Sequence, residues 1–385
     1  MRVADLFAGC GGMSKGFLDA GYTIVAAFEK WDAAVSCYRM NFEHPVYEYD
    51  LHEWEKVSEF ISTLDIDLII GGPPCQDFSQ AGNRIEGKRA ELTLSFAQIV
   101  SQVRPAYFVM ENVERVHLSS VYKNARKILK AAGYGLSERV VNASYSGVPQ
   151  NRKRFFCIGG LHKSDGFIDG VLAANLTELP LTVKDYLGDE FNLEYYYRHP
   201  RTYERRGIFS VFEPAPTIRG SNRPMPPEYK IHAQDPVRVT TGIRSLTMRE
   251  RASIQTFPDN FKWLESDTIN NQLIGNAVPV KLAYYVAKCL LDYVGGNFNK
   301  RDVGFVQWLK DEKGYTGRAA GDVLSRIRRI MRILASNSNE VYEGNTDVIS
   351  SLKCKEEFQG CTASVKSQLK RAQKLFDEYV VSCKS

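Results

Sequence analysis

Short apolar runs alternate with stretches of helical spacing along the first 160 residues. Residues 3–7 form an apolar run closed by Gly9, Gly11 and Gly12, and a helical stretch follows to residue 20. Residues 23–28 are β-rich and end at Glu29, residues 32–41 read as a helix, and a short run over 46–49 ends at Asp50. Further strands are predicted at 66–70, at 106–110 ending on Glu111, and at 139–141 and 155–158. Strands separated by helical segments of about 10 to 15 residues imply βαβ units and a mainly parallel sheet. In such sheets ligands gather outside the carboxyl ends of the strands. The glycine turn, Glu29, Asp50, Cys75 and Glu111 all fall just past such ends, so one rim should collect the chemistry.

From 161 to 243 the periodicity degrades. Prolines and glycines multiply, Tyr195, Tyr196 and Tyr197 stand in a row, and Arg198, Arg201, Arg205 and Arg206 cluster. A smaller β- and loop-rich domain is predicted there. After Thr247 a helix to 255 and another over 281–293 resume the α/β style. Beyond residue 300 the chain reads as helical, with Val323, Leu324, Ile327, Ile330, Met331 and Leu334 at helical spacing and Phe305, Trp308 and Leu309 as apolar anchors. The expected organisation is an α/β domain over 1–160, the loop-rich domain over 161–243, a return to the first domain over 244–299, and a helical extension over 300–385.

Composition narrows the class. With 44% hydrophobic and 25% charged residues, the 385-residue chain is an ordinary globular protein. No apolar run approaches a membrane span, and no basic stretch with an apolar core opens the chain, so a cytoplasmic protein is expected. The eight cysteines (10, 37, 75, 157, 289, 354, 361 and 383) are scattered, without Cys-x-x-Cys pairs or zinc-like histidine spacing. That argues for reduced thiols, no disulfide framework and no metal.

The net charge of +5 is uneven: residues 300–385 hold 16 basic and 11 acidic side chains, and the rest of the chain balances. Within that balanced part, residues 195–251 carry 11 basic and 5 acidic side chains. Two basic zones suggest a polyanionic partner. In the extension, Arg326, Arg328, Arg329 and Arg332 on one predicted helix, with Lys366, Lys370, Arg371 and Lys374 on another, are expected to add phosphate contacts.

The glycine turn lets the backbone approach a ligand closely. It lacks the Gly-x-Gly-x-x-Gly spacing of pyrophosphate binders, since Gly16 comes next. Glu29 suits a ribose hydroxyl pair and Asp50 an adenine amino group. Together these describe a nucleoside-bearing cofactor, and S-adenosylmethionine fits. In Gly71-Gly72-Pro73-Pro74-Cys75 two prolines stiffen a loop that presents a thiol at the rim. Glu111 could protonate a substrate under attack, and Arg152 and Arg154 in Gln150-Asn151-Arg152-Lys153-Arg154 offer cationic donors. Nucleophile, acid and guanidinium groups beside a methyl donor suit an electron-poor aromatic ring.

On these residues the chain resembles the cytosine-specific DNA methyltransferases that modify carbon 5. The matching segments begin at Asp5 (Asp-Leu-Phe-Ala-Gly-Cys-Gly-Gly), Gly72 (Gly-Pro-Pro-Cys-Gln-Asp-Phe-Ser), Glu111 (Glu-Asn-Val), Gln150 (Gln-Asn-Arg-Lys-Arg-Phe), Arg244 (Arg-Ser-Leu-Thr-Met-Arg-Glu) and Gly275 (Gly-Asn-Ala-Val-Pro). They stand in the family's order across three quarters of the chain. The resemblance implies a Rossmann-like, S-adenosylmethionine-dependent methyltransferase sheet, a target-recognition domain over 161–243 and a helical C-terminal extension.

It implies roles as well. Cys75 would attack carbon 6 of a cytosine, Glu111 would hold ring nitrogen 3 and the exocyclic amine, and Arg154, supported by Arg152, would bind the ring's carbonyl oxygen. Phe7, Gly9, Gly11, Gly12, Glu29, Asp50 and Pro74 would line the cofactor pocket, with Asn276 and Ala277 closing it. The family often places a bulky side chain directly after the ribose-binding acid. Here Lys30 stands there and Trp31 follows, which leaves the stacking residue open between them. Gln76 and Ser79 would close over a flipped base. Arg219 and Arg223 would meet base edges or phosphates, and Arg244 is a further DNA-binding candidate.

The implied partner is double-stranded DNA, with no membrane. A cognate restriction endonuclease acting on the same site is a further partner the resemblance admits, and the expected setting is a cytoplasmic monomer, bacterial or phage-encoded. Three rivals remain to be separated. A nicotinamide dehydrogenase leaves the Pro-Pro-Cys loop and paired arginines without a task. A non-enzymatic DNA-binding module would not need Cys75 and Glu111. A transfer-RNA cytosine-5 methyltransferase of the same family would carry Cys-Phe-Thr in its second domain, and no such tripeptide occurs.

Overall fold

The computed structural model describes residues 1–74, 91–202, 204–238, 240–334 and 348–383. Contacts divide the chain into two compact units, one formed by Met1–Asp165 with Leu179–Lys288 and the other by Gly166–Glu178 with Cys289–Ser385.

The first unit is built on eight early strands: β1 (Arg2–Leu6), β2 (Thr23–Glu29), β3 (Val46–Glu48), β4 (Leu68–Gly71), β5 (Tyr107–Val113), β6 (Tyr134–Asn142), β7 (Gln150–Asn151) and β8 (Lys153–Leu161). Seven of them form one sheet in the order β3-β2-β1-β4-β5-β8-β6. The run from β3 to β5 is parallel, whereas β8 pairs antiparallel with both β5 and β6. The chain moves outward from β1 in one direction to β3, then returns to the other side of β1 with β4. That reversal opens a crevice past the carboxyl ends of β1 and β4.

Alternation along β1 explains how a strand as short as RVADL is held. Ala4 and Leu6 join a core with Phe28, Ile69, Phe108 and Met110, covered by Val57 and Ile61 of α3 (Trp54–Ser62), Phe96 and Val100 of α4 (Glu91–Val103), and Ala125 and Leu129 of α5 (Ser120–Ala131). Asp5 points to the opposite face, where α1 (Gly12–Asp19) supplies Ser14. There α1 lies so close to α10 (Val280–Gly295) that a Cβ on Gly16 would meet Ala283 and the Val280 carbonyl.

The segment after β8 combines two short helices, Asp169–Ala174 and Val183–Leu187, with short strands and loops. β9 (Tyr195–Tyr197) and β10 (Ile208–Ser210) form an antiparallel hairpin, and β11 (Ala215–Pro216) pairs with β7. The helix after Thr247 is α8 (Met248–Ile254), started by a capping box in which Thr247 and Glu250 exchange hydrogen bonds; α9 (Asp267–Asn276) follows.

The second unit departs from the expected boundaries. Gly166–Glu178, assigned above to the 161–243 domain, packs with the C-terminal helices instead. The reason is apolar: Ala173 and Ala174 of the short helix Asp169–Ala174 share a core with Phe305, Leu309, Val323, Leu324, Ile327 and Ile330. The arginines expected on phosphates are largely spent inside this unit. Arg328 Nη2 lies 2.7 Å from Asp302 Oδ2, and Arg332 reaches Glu178 at 2.9 Å and Glu357 at 3.0 Å. Arg329 donates to Cys361 Sγ. Asp302 is only 2% exposed, so losing its partner leaves a buried carboxylate without its guanidinium. Arg328→Ala should therefore destabilise this unit by about 2 kcal/mol or more, measured by thermal unfolding, while Lys370→Ala, on an exposed side chain, should be neutral.

Among the described residues no helix is long and apolar enough to cross a membrane, and no cluster of potential metal ligands occurs.

Candidate active site

A cavity of about 380 Å³ opens at the crevice past β1 and β4. Its wall brings together Phe7, Gly9, Gly12, Glu29, Trp31, Pro74, Glu111, Arg152, Arg154, Asn276 and Ala277. These residues come from six separate stretches of sequence. Gly11 stands behind the wall, where a side chain would collide with Phe42, and Asp50 lies outside it. Cys75, Gln76 and Ser79 fall outside the described residues.

The glycine turn is shaped from both ends. Phe7, Gly9 and Gly11 all adopt positive φ (57°, 56° and 92°), a conformation costly for Phe7 and natural for glycine. Glu29 then pins the turn: its carboxylate accepts the N–H groups of Gly9 (2.8 Å), Lys30 (2.8 Å) and Trp31 (2.9 Å). Trp31 lines the cavity, while Lys30 turns out to Asp50, with Nζ 2.5 Å from Oδ2. His52 takes the other oxygen of Asp50 at 2.7 Å. With Lys30 bonded to it, Asp50 is held well below the usual carboxylate range.

Asp5 was missed in the sequence. It is 1% exposed and lines the cavity, with Oδ1 buried and without a partner. Its other oxygen accepts from Ser14 at 2.5 Å, and Tyr38 bridges Ser14 to His44 at 2.6 Å on each side. Burial, with a smaller contribution from Glu29 and against the Ser14 hydrogen bond, raises its pKa to about 7.

Glu111 and Arg154 sit on adjacent antiparallel strands. Glu111 faces Phe156 and Val113 faces Arg154, so the two side chains are diagonal neighbours on one face. Arg154 Nε meets Glu111 Oε1 at 2.9 Å, and both side chains are largely buried. Burial raises the Glu111 pKa, and the charges of Arg154 and Arg152 only partly oppose it. Glu111 lies against Gly72, and the next residue, Asn112, donates from Nδ2 to the Pro73 carbonyl at 3.0 Å. Strand β5 thus anchors the Pro-Pro loop that precedes Cys75. Asn112 was quoted only as part of a motif; no sequence signal distinguished its anchoring role.

Arg152 is a strut. Its Nη1 donates to the Ile218 carbonyl at 3.0 Å, and its Nη2 to those of Gly275 (3.1 Å) and Ala277 (3.0 Å). Both terminal nitrogens are therefore committed to holding the Asn276–Ala277 corner rather than a ligand. Gln150 and Gln255 extend the network, bonded to each other at 2.8 Å. Gly275 is required here, because a Cβ would strike the Arg219–Gly220 backbone.

A larger cleft, about 1050 Å³, adjoins this cavity and shares Arg152, Arg154, Val113, Gly275 and Asn276 with it. Nine cationic side chains and a single carboxylate, Glu114, line it among the described residues. Such a field selects a polyanion. Several of the nearby arginines are structural. Arg198 donates to Thr217 O (2.9 Å), Arg206 to Glu213 (2.6 Å), Arg219 to His199 O, and Arg238 to His232 O (2.9 Å). Arg244 forms two hydrogen bonds to Glu250 (2.8 and 2.6 Å), and Arg251 binds Asn271 and the Arg219 carbonyl. Arg223 lies off the cleft wall.

A family model for C-5 cytosine-specific DNA methylase matches residues 1–292. The chain belongs to that family. It is 52% identical over 295 residues to the type II methyltransferase M.HgiDI of Herpetosiphon aurantiacus, covering 76% of this chain and 95% of that one. It is 50% identical to the type II methyltransferase M.HindV of Haemophilus influenzae, over 76% of this chain and 97% of that one. About a quarter of this methyltransferase therefore has no counterpart in those relatives. Among solved structures, the S. pombe Dnmt2 methyltransferase superposes with a TM-score of 0.60 at 21% identity, over 77% of this chain and all of that one. A putative DNA modification methyltransferase from an E. coli prophage superposes at 0.56 and 23% identity, over 77% and 99%. The fold is thus the Rossmann-like methyltransferase sheet that the resemblance implied, and the dehydrogenase rival is set aside.

Proposed function

We propose that this methyltransferase moves a methyl group from S-adenosylmethionine to carbon 5 of a cytosine flipped out of a specific double-stranded DNA sequence, through a covalent Cys75 adduct. The observation that carries the reading is the buried Glu111–Arg154 pair, with Arg154 on the wall shared by cavity and basic cleft. As a cytoplasmic monomer, bacterial or phage-encoded, it protects DNA against a cognate restriction endonuclease.

The cavity suits a nucleoside-bearing cation. Its glycine turn offers close backbone approach, Trp31 an aromatic face, and Asp5 a buried, unpartnered oxygen. Glu29 retains lone pairs for a ribose beyond its three N–H partners. When bound, S-adenosylmethionine supplies an electrophilic methyl group on a sulfonium.

The remaining chemistry belongs to the chain. Cys75 adds as thiolate to carbon 6 of cytosine, and the displaced electron pair makes carbon 5 nucleophilic. Glu111, its pKa raised by burial, hands or shares a proton at ring nitrogen 3 and so relieves the developing charge. Arg154 orients Glu111 and holds the ring's carbonyl oxygen. Carbon 5 takes the methyl as its bond to sulfur breaks. A water then removes the carbon 5 proton, the bond between Cys75 and carbon 6 breaks to restore the thiolate, and ring nitrogen 3 returns its proton to Glu111 as the aromatic ring re-forms. Base extrusion costs about a few kcal/mol, which the basic cleft offsets by binding the backbone. The protein is tested with methyl-labelled donor, duplex DNA and total RNA. Label in 5-methylcytosine of DNA is expected; label in RNA alone would overturn the reading.

Asp5 gives a pH signature. A carboxyl whose pKa is raised to about 7 is half protonated near neutrality, and a cation in the cavity favours its ionised form. Cofactor affinity should therefore rise about threefold to tenfold from pH 6 to pH 8, by calorimetry. Asp5→Asn should flatten that dependence.

A further inference from the structure

The hairpin joining β9 to β10 projects two guanidinium groups that no partner claims among the described residues. Arg201 and Arg205 are exposed, and both line the basic cleft beside Arg154. Six neighbouring arginines of the 195–251 segment are instead bonded to carbonyls or side chains of the protein, as described above. The feet of this hairpin are fixed. Arg198 N donates to Gly207 O at 2.8 Å, and Gly207 N donates to Tyr229 Oη at 2.9 Å and to Asp235 Oδ1 at 3.2 Å. Arg206 clamps the same end, its guanidinium 4.3 Å from the Phe209 ring centre and bonded to Glu213.

A phosphate contact asks only for charge, and Arg115 and Lys153 supply that elsewhere on the cleft wall. Base recognition asks in addition for a paired donor fork on an anchored backbone, and Arg201 and Arg205 carry such forks between the fixed feet of the hairpin. Arginine's paired N–H groups match the two acceptors of guanine in the major groove. We infer that Arg201 and Arg205 read base edges and set part of the recognised sequence, whereas the sequence leaves Arg219 and Arg223 open between base edges and phosphates. The inference rests on the DNA reading above.

The test begins with the sequence methylated by the unaltered protein. Arg201→Ala, Arg205→Ala and the corresponding lysine variants are then assayed on duplexes carrying every single-base change, with binding measured across salt concentration. Base reading predicts that each alanine variant relaxes preference at one base position by about 10- to 100-fold, with an unchanged salt slope. Lysine keeps the charge but loses the fork, and should relax the same position. Cofactor binding and the thermal midpoint should match the unaltered protein. A uniform loss of affinity with a salt slope reduced by about 0.9 and intact preference would identify phosphate contacts and overturn the inference, as would no change. If the unaltered protein methylates no DNA, the underlying reading fails with it.

Discussion

Cys75→Ser lowers methyl transfer by about 10⁴-fold or more, while S-adenosylmethionine affinity changes little. A serine hydroxyl is far less ionised than a thiol near neutral pH and a poorer nucleophile toward carbon 6. No other described cysteine of the first unit can substitute. Burial pushes the Cys10 thiol well up, and raises Cys37 and Cys157 to about 12. A duplex carrying 5-fluorocytosine at the target should trap a covalent adduct, visible as a mass increase, with the unaltered protein and not with the variant. Full turnover by the serine variant would remove the covalent step from the mechanism.

Glu111→Gln should lower kcat by about 10²- to 10³-fold and leave cofactor affinity nearly unchanged, because the lost proton donation matters most in the transition state. The companion variant Arg154→Ala carries a pH signature. Arg154 opposes the burial that raises the Glu111 pKa, so its removal raises that pKa further. A required protonated Glu111 then survives to higher pH, and the alkaline limb of the kcat profile should move upward. A move to lower pH would contradict the assigned protonation. Stability should fall in parallel, since a buried carboxyl loses its counter-charge.

Two of the strands that carry the site were legible because an apolar run stops at a clear marker: Glu29 closes β2, and the glycine pair Gly71–Gly72 ends β4. Glu111 was placed at a strand end, yet β5 continues to Val113. The antiparallel pairing with β8 prolongs it, and that pairing is a long-range contact no local pattern announces. For the same reason β6 and β8 run to nine residues each, beyond the short runs visible in sequence. Glycines at 135, 159 and 160 interrupt their apolar signal.

The arginines were the hardest to read. Sequence shows that Arg152, Arg219 and Arg244 can donate, not which acceptors the fold brings to them. Arg244 had a clue: Thr247 and Glu250 form a capping box, which places the Glu250 carboxylate beside the residues preceding the helix. Asp5 also left a trace, a lone acid inside an apolar strand, with Ser14 beyond the glycine turn. Gly166–Glu178 misled because the partners that bury it lie more than a hundred residues downstream.

The central claim is cytosine methylation at a defined DNA sequence. Its most direct test is methylation-sensitive sequencing of host DNA after expression of the unaltered chain, with the Cys75→Ser variant alongside. The account predicts 5-methylcytosine at one fixed position of one short sequence throughout the genome, absent with the variant. Unmethylated DNA from cells that hold folded, cofactor-binding protein would contradict it, as would methylation scattered without sequence preference.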